Sequence, residues 1–187
     1  MLVTVPNILT LSRIFSIPVL VVLFYIDTPW AAWTALGLYA LAAFTDYLDG
    51  YLARRWDQIS AFGRFLDPVS DKIFVATILV LLVGFDRLPG LWMIPAIIIM
   101  IREFTISGLR EFLGAAHVSV PVTRLAKWKT ALQMIALGFL VIGPYGQNLF
   151  PPTMAVGQWG LGIAAVLTVV TGWEYLKVGL SHIRTMT

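Results

Sequence analysis

From Thr130 to Trp173 this 187-residue chain carries no Asp, Glu, Lys or Arg. Only the segment GPYGQNLFPPT, Gly143 to Thr153, interrupts the run. A helix needs roughly 20 apolar residues to cross about 30 Å of hydrocarbon. The run therefore reads as two spans joined by a turn, and similar stretches occur earlier. The composition agrees, with 59% hydrophobic and 12% charged residues, whereas soluble domains average about 25% charged. We expect an all-α, polytopic integral membrane protein, because helices satisfy their own backbone hydrogen bonds inside a bilayer. Six transmembrane helices are expected, roughly at 7–26, 30–54, 67–85, 90–113, 129–143 and 154–180. They form one membrane domain over residues 1–187. With no cysteine, disulfides and thiolate metal sites are excluded. The segment from Met1 to Ile26 lacks a small-residue cleavage site and is read as a retained helix.

The charges have a side. Arg13, Asp46, Asp49, Arg54, Arg55, Asp67, Asp71 and Lys72 lie at ends of spans one to three. Arg102, Glu103, Arg110, Glu111, Lys127, Lys129, Glu174, Lys177 and Arg184 lie at ends of spans four to six. Alternating spans bring all of these to one face. Of 13 basic residues, only Arg87 falls opposite. The positive-inside bias places that face, and both termini, in the cytoplasm.

Asp46 and Asp49 are three residues apart; Asp67 and Asp71 are four apart. Each pair shares one helix face, and a short connection lets the two pairs meet. Four carboxylates in a low-dielectric pocket need neutralising. Hard oxygen ligands without thiolate favour Mg²⁺, Mn²⁺ or Ca²⁺. Neither His117 nor His182 lies beside the acids, which argues against zinc. Gly50, Ala53 and Gly63 leave room for a ligand, and Arg54 offers a phosphate-suited fork. The bland alternative is ordinary interfacial pairing with Arg54, Arg55, Arg64 and Lys72. Four acids at helical spacing with glycines between them argue against it.

Residues 46–71 read DYLDGYLARRWDQISAFGRFLDPVSD. They match D-x2-D-G-x2-A-R-x8-G-x3-D-x3-D, and the chain thereby resembles the CDP-alcohol phosphotransferases. The resemblance implies a six-helix membrane enzyme, usually a homodimer, with two divalent ions, Mg²⁺ or Mn²⁺, held by Asp46, Asp49, Asp67 and Asp71. It implies that Asp71 is the general base on the acceptor hydroxyl, and that Gly50, Ala53, Arg54 and Gly63 contact the cytidine nucleotide. Asp57 is outside the pattern and is read as a solvated loop charge.

Three further segments carry the resemblance to most of the chain: PNILTLSR at 6–13, REFTISGLR at 102–110 and KWKT at 127–130. They are similar to the branch of the family whose acceptor is glycerol 3-phosphate and whose donor is CDP-diacylglycerol. That branch usually has glycine where this chain has Ala126. The resemblance places Asn7, Thr10 and Arg13 near nucleotide or lipid phosphates. Arg102, Arg110, Arg124, Lys127 and Lys129, with Ser107, form a basic surface suited to an acceptor phosphate. Glu103 and Glu111 would orient some of these bases.

The implied reaction is transfer of the phosphatidyl group from CDP-diacylglycerol to glycerol 3-phosphate, releasing CMP. Serine or inositol phosphate are the alternative acceptors within the family. A cation or proton transporter is the rival outside it. That rival would need ionisable groups across the whole membrane, and the outer half has only Asp27, Asp86 and Arg87 at its boundary. The expected partners are the two substrates, the bilayer and a second copy, not nucleic acid. The expected location is a bacterial inner membrane, with the site facing the cytoplasm. The G-x-G-x-x-A match at Gly160 follows no strand and is read as close helix packing. Trp30, Trp33, Trp56, Trp92 and Trp128 are read as interfacial anchors. His117 is read as solvated, and Pro18 and Pro95 as kinks.

Overall fold

The computed structural model describes residues 5–55, 61–115 and 123–186, and among these every regular element is helical. The order is α1 (Val5–Tyr25), α2 (Pro29–Arg55), α3 (Ala61–Gly84), α4 (Met93–Ala115), α5 (Arg124–Ile142) and α6 (Thr153–Met186). Short 3₁₀ turns, Gly90–Trp92 and Gly143–Asn148, precede α4 and follow α5. Trp56, Asp57 and His117 lie outside the described residues.

Four segments are long and apolar enough to cross a membrane: Asn7–Tyr25, Gly90–Gly114, Arg124–Asn148 and Thr153–Lys177. The other two long helices, α2 and α3, are those that carry the four aspartates. In α3 the acidic turn Asp67–Lys72 leaves an uninterrupted apolar stretch only from Ile73 to Gly84. Large apolar side chains cover the outside. Ile94, Ile97, Ile101 and Phe104 form an exposed stripe along α4, and Val166, Val169, Val170 and Trp173 do so on α6. Water would penalise such surfaces, whereas lipid does not.

The chain divides into two compact units. One takes α1 to α3, up to Arg87, together with Leu137–Met154; the other runs from Leu88 to Ala136 and continues from Ala155 through α6. In the first, α2 packs through small side chains, with Ala31, Ala32, Ala35 and Ala42 all buried. Small residues let membrane helices approach closely. Tyr39 of α2 stacks on Phe74 of α3 at 5.9 Å. In the second unit, Gly160 of α6 lies against α5, where an added Cβ would stand 3.1 Å from the Ala136 Cβ. The G-x-G-x-x-A segment is thus a helix-packing contact, as expected. Trp30, Trp33 and Trp128 are exposed, and Trp92 meets Trp159 edge to face at 5.1 Å.

Two helices begin earlier than their hydropathy suggests. α3 starts at Ala61 rather than near 67, and α5 at Arg124 rather than near 129. Thr123 explains the second case. Its Oγ1 accepts the Ala126 N–H at 3.3 Å, an N-cap that satisfies one orphan donor of the first turn. Of the two expected kinks, Pro18 does lie inside α1. Pro95 does not act as one, because it is the third residue of α4, where its missing N–H has no intrahelical partner to lose. Pro68, inside α3, removes a backbone donor between Asp67 and Asp71 instead.

The turn opposite the acidic end is tied to α5 by Arg87. Its guanidinium donates to the Leu140 carbonyl at 2.9 Å and to the Val141 carbonyl, and stands 4.4 Å from the Phe24 ring centroid. It therefore caps carbonyls that the end of a helix leaves without partners, at the end where a cation is favoured. Burial pushes Arg87 down to about 10, opposed by Asp27, so it stays cationic at neutral pH. Nearby, Tyr145 Oη donates to Asp27 Oδ1 at 2.7 Å. Gly143 closes α5 with φ +59°, and an added Cβ would lie 2.9 Å from the Arg87 guanidinium carbon. Gly143→Ala is expected to cost about 1–3 kcal/mol, from left-handed strain and displacement of Arg87. A lowered thermal midpoint of the purified protein in detergent checks this.

Candidate active site

α1 is apolar outside and polar inside. Asn7, Thr10, Arg13 and Ser16 recur every three residues and are buried, whereas Ile8, Phe15, Val19 and Val22 are exposed. This inversion suits a helix with lipid on one side and polar neighbours on the other. The neighbours are the acid-bearing helices. Arg13 Nη1 donates to Asp46 Oδ1 on α2. Thr10 Oγ1 donates to Asp67 Oδ1 on α3 at 2.8 Å. One edge of α1 therefore reaches a carboxylate on each of α2 and α3.

Asp46 has a side chain 44% exposed. Asp67 is exposed and Asp71 half-buried. Ser70, fully buried between them, donates to the Asp67 carbonyl at 3.0 Å. Lys72 Nζ donates to the Pro68 carbonyl at 2.6 Å, so this lysine serves the backbone of the acidic turn. Gly63 is buried one turn before Asp67. Asp49, Gly50, Ala53 and Arg54 occupy the last turns of α2. Their side chains, with those of Arg55 and Arg64, lie outside the described residues.

Among the described residues, no three Asp, Glu or His side chains converge closely enough to hold a metal ion. Asp49 is not in that set. The donors that are described suit a hard cation by their chemistry. They are carboxylate oxygens near a helix end, two of them oriented by α1, and a hydroxyl such as that of Thr10 orients an acid without cancelling its charge.

The basic residues belong to the other unit. Lys129 is buried, and its Nζ donates to Glu103 Oε1 at 2.5 Å. Arg102 shares the same oxygen at 3.3 Å and reaches Thr171 Oγ1 at 3.4 Å. The Arg102 guanidinium also stands 5.9 Å from the Tyr175 ring centroid, and that of Arg110 stands 5.4 Å from the same ring. Gly172 makes room for this, since a Cβ there would lie 3.1 Å from Arg102 Cγ. Arg102 Nε, Gln133 Oε1 and Thr168 Oγ1 are buried with no protein partner. This interior is basic and has unused polar capacity. Ser107 is half-buried on α4; Arg124 and Lys127 are exposed on the first turn of α5. Cations at a helix N-terminus oppose the macrodipole, so helix stability does not account for their position.

Sequence reasoning missed the pairing of α1 with the acids and the place of Tyr175 beside two guanidiniums. The first had a signal, in the three-residue recurrence of polar side chains on an apolar helix. The second had none, because Tyr175 is one aromatic residue among many.

Comparison with known proteins adds a second line. The family model described as CDP-alcohol phosphatidyltransferase matches residues 3–170. A protein of Rickettsia bellii, named CDP-diacylglycerol–glycerol-3-phosphate 3-phosphatidyltransferase, is 45% identical over 172 residues, covering 92% of this chain and 93% of that protein. Proteins of the same name from Pseudomonas fluorescens and Cereibacter sphaeroides are 40% and 38% identical, over 97% of this chain in both cases and over 92% and 97% of their own lengths. The acidic signature, the α1 edge that holds it and these matches agree: this chain belongs to the CDP-alcohol phosphatidyltransferase family.

Proposed function

We propose that this chain transfers the phosphatidyl group of CDP-diacylglycerol to glycerol 3-phosphate, giving phosphatidylglycerol phosphate and CMP. One observation carries the reading: relatives bearing that activity in their names align over more than nine-tenths of the chain, at 38–45% identity. The intact aspartate signature over 46–71 supports the same chemistry.

Asp46, Asp49, Asp67 and Asp71 would hold two divalent ions, Mg²⁺ or Mn²⁺. When bound, such ions polarise the donor diphosphate and stabilise the departing CMP. The chain's own residues do the rest. Asp71 takes the proton of the sn-1 hydroxyl of glycerol 3-phosphate. That oxygen forms a bond to the phosphorus bearing diacylglycerol, the phosphoanhydride bond breaks, and CMP carries away the electron pair. Asn7 and Arg13 border the donor along α1, with Thr10 on the same edge behind them, and Gly50, Ala53, Arg54 and Gly63 border its nucleotide. Arg102, Ser107, Arg110, Arg124, Lys127 and Lys129 attract and orient the acceptor phosphate.

In this reading all six long helices cross the membrane, with both termini and the site on the cytoplasmic side of a bacterial inner membrane. The active form is a homodimer. The sidedness of the basic residues supports the orientation.

The decisive experiment measures CMP release from CDP-diacylglycerol by purified protein, with glycerol 3-phosphate, serine and inositol phosphate as acceptors. Release with glycerol 3-phosphate alone is expected, and equal release with either alternative overturns the acceptor. Excess EDTA should stop turnover, and Mg²⁺ or Mn²⁺ should restore it. Asp71→Asn should lower kcat by about 10²–10⁴ while CDP-diacylglycerol still binds. Lys129→Met should lose about 1–3 kcal/mol of stability, because Glu103 loses its closest cation and keeps only Arg102. Exposed Lys127→Ala should stay within about 0.5 kcal/mol, as thermal unfolding would report.

A further inference from the structure

We infer that Thr10 is a positioning residue for the metal-binding carboxylate of Asp67. It acts on the reaction through that acid rather than by touching substrate. The inference rests on the metal-site reading above and goes beyond it in assigning a role to α1.

The usual fate of a hydroxyl inside these helices is a bond to its own backbone. Ser12, Ser16, Thr34, Thr45, Thr130 and Thr171 each donate to a carbonyl three or four residues earlier. Such bonds are the ordinary outlet for helical Ser and Thr. Thr10 differs. Its hydroxyl crosses to another helix, 57 residues away in sequence, and donates to Asp67 Oδ1 at 2.8 Å. Thr10 is 0% exposed, whereas Asp67 is exposed, so the acid and not the threonine meets an incoming ligand. A β-branched side chain has few rotamers in a helix, which limits the directions in which its hydroxyl can donate.

The chemistry favours a hydroxyl at this position. Holding one carboxylate oxygen fixes the rotation of the group, and hence the direction of the second oxygen. A neutral donor does this while leaving the negative charge for a cation. One turn on, Arg13 holds Asp46 with a guanidinium, which orients its acid and offsets part of its charge. The two contacts differ in kind, a neutral donor on Asp67 and a cationic donor on Asp46. Partners that orient metal ligands in this way commonly change metal affinity 10–100-fold when removed.

The test is a Mn²⁺ titration, followed by electron paramagnetic resonance, of the full-length chain in detergent. Thr10→Val, of nearly the same shape, should weaken Mn²⁺ binding about 10–100-fold, and Thr10→Ser should restore most of it. The metal concentration for half-maximal activity should rise in step. In an Asp67→Asn background, Thr10→Val should add nothing. If Thr10→Val keeps wild-type Mn²⁺ affinity and only lowers the thermal midpoint, the contact is packing and the inference is overturned. Should Thr10→Val not fold, Thr10→Cys, a weaker donor, must show an intermediate loss; unchanged affinity overturns the inference equally. Wild-type binding by Asp67→Asn would remove the metal-site reading itself, a result distinct from the others.

Discussion

A carboxylate near hydrocarbon must be given a donor or a cation, because burial of an unpaired charge is costly. The site rests on that constraint. α1 meets it with a polar edge only one side chain wide. Arg13 takes Asp46 and Thr10 takes Asp67, so one helix fixes acids on two others. The lipid-facing side of α1 stays apolar. A helix with such opposed faces can sit at the boundary between bilayer and polar interior without exposing either to the wrong solvent.

The described polar contacts differ between the two units. In the first, Asp46 meets Arg13 and Asp67 meets Thr10, with Lys72 committed to a backbone carbonyl. In the second, Glu103 faces Lys129 and Arg102, while Arg110 joins Arg102 at the Tyr175 ring. Carboxylates suit cations, and guanidinium and ammonium groups suit phosphate. The sharing of Glu103 by two cations also keeps the basic interior from being wholly uncompensated before an anion arrives.

The sequence made the helices legible and their ends less so. Hydropathy reports where the hydrocarbon lies, not where a helix begins. α5 extends five residues beyond its apolar stretch because Thr123 caps it. α3 similarly starts at Ala61, carrying buried Gly63 and Leu66 ahead of its aspartates. The acids themselves were legible, because carboxylates at three- and four-residue spacing beside apolar runs have few bland explanations. Their partners were not, since Arg13 and Thr10 lie 33 and 57 residues from the acids they hold. Contacts of that range depend on how helices pack. Glu103 was legible as an orienting acid; that it would serve Lys129, on another helix, was not.

Among the described residues, α2 and α3 are the long helices that lack a stretch apolar and uncharged enough to span on its own, and both carry acids. An aspartate at mid-span costs about 2.5–3.5 kcal/mol on insertion scales. α1 precedes both in the chain and is apolar enough to insert by itself. It also carries the donors those acids require. Were α2 and α3 to insert beside α1, Arg13 and Thr10 would replace water around Asp46 and Asp67 and lower that cost. The same contacts that orient the carboxylates for chemistry would therefore help admit them to the membrane. This explains why a polar edge is worth keeping on a helix whose other faces are built for lipid.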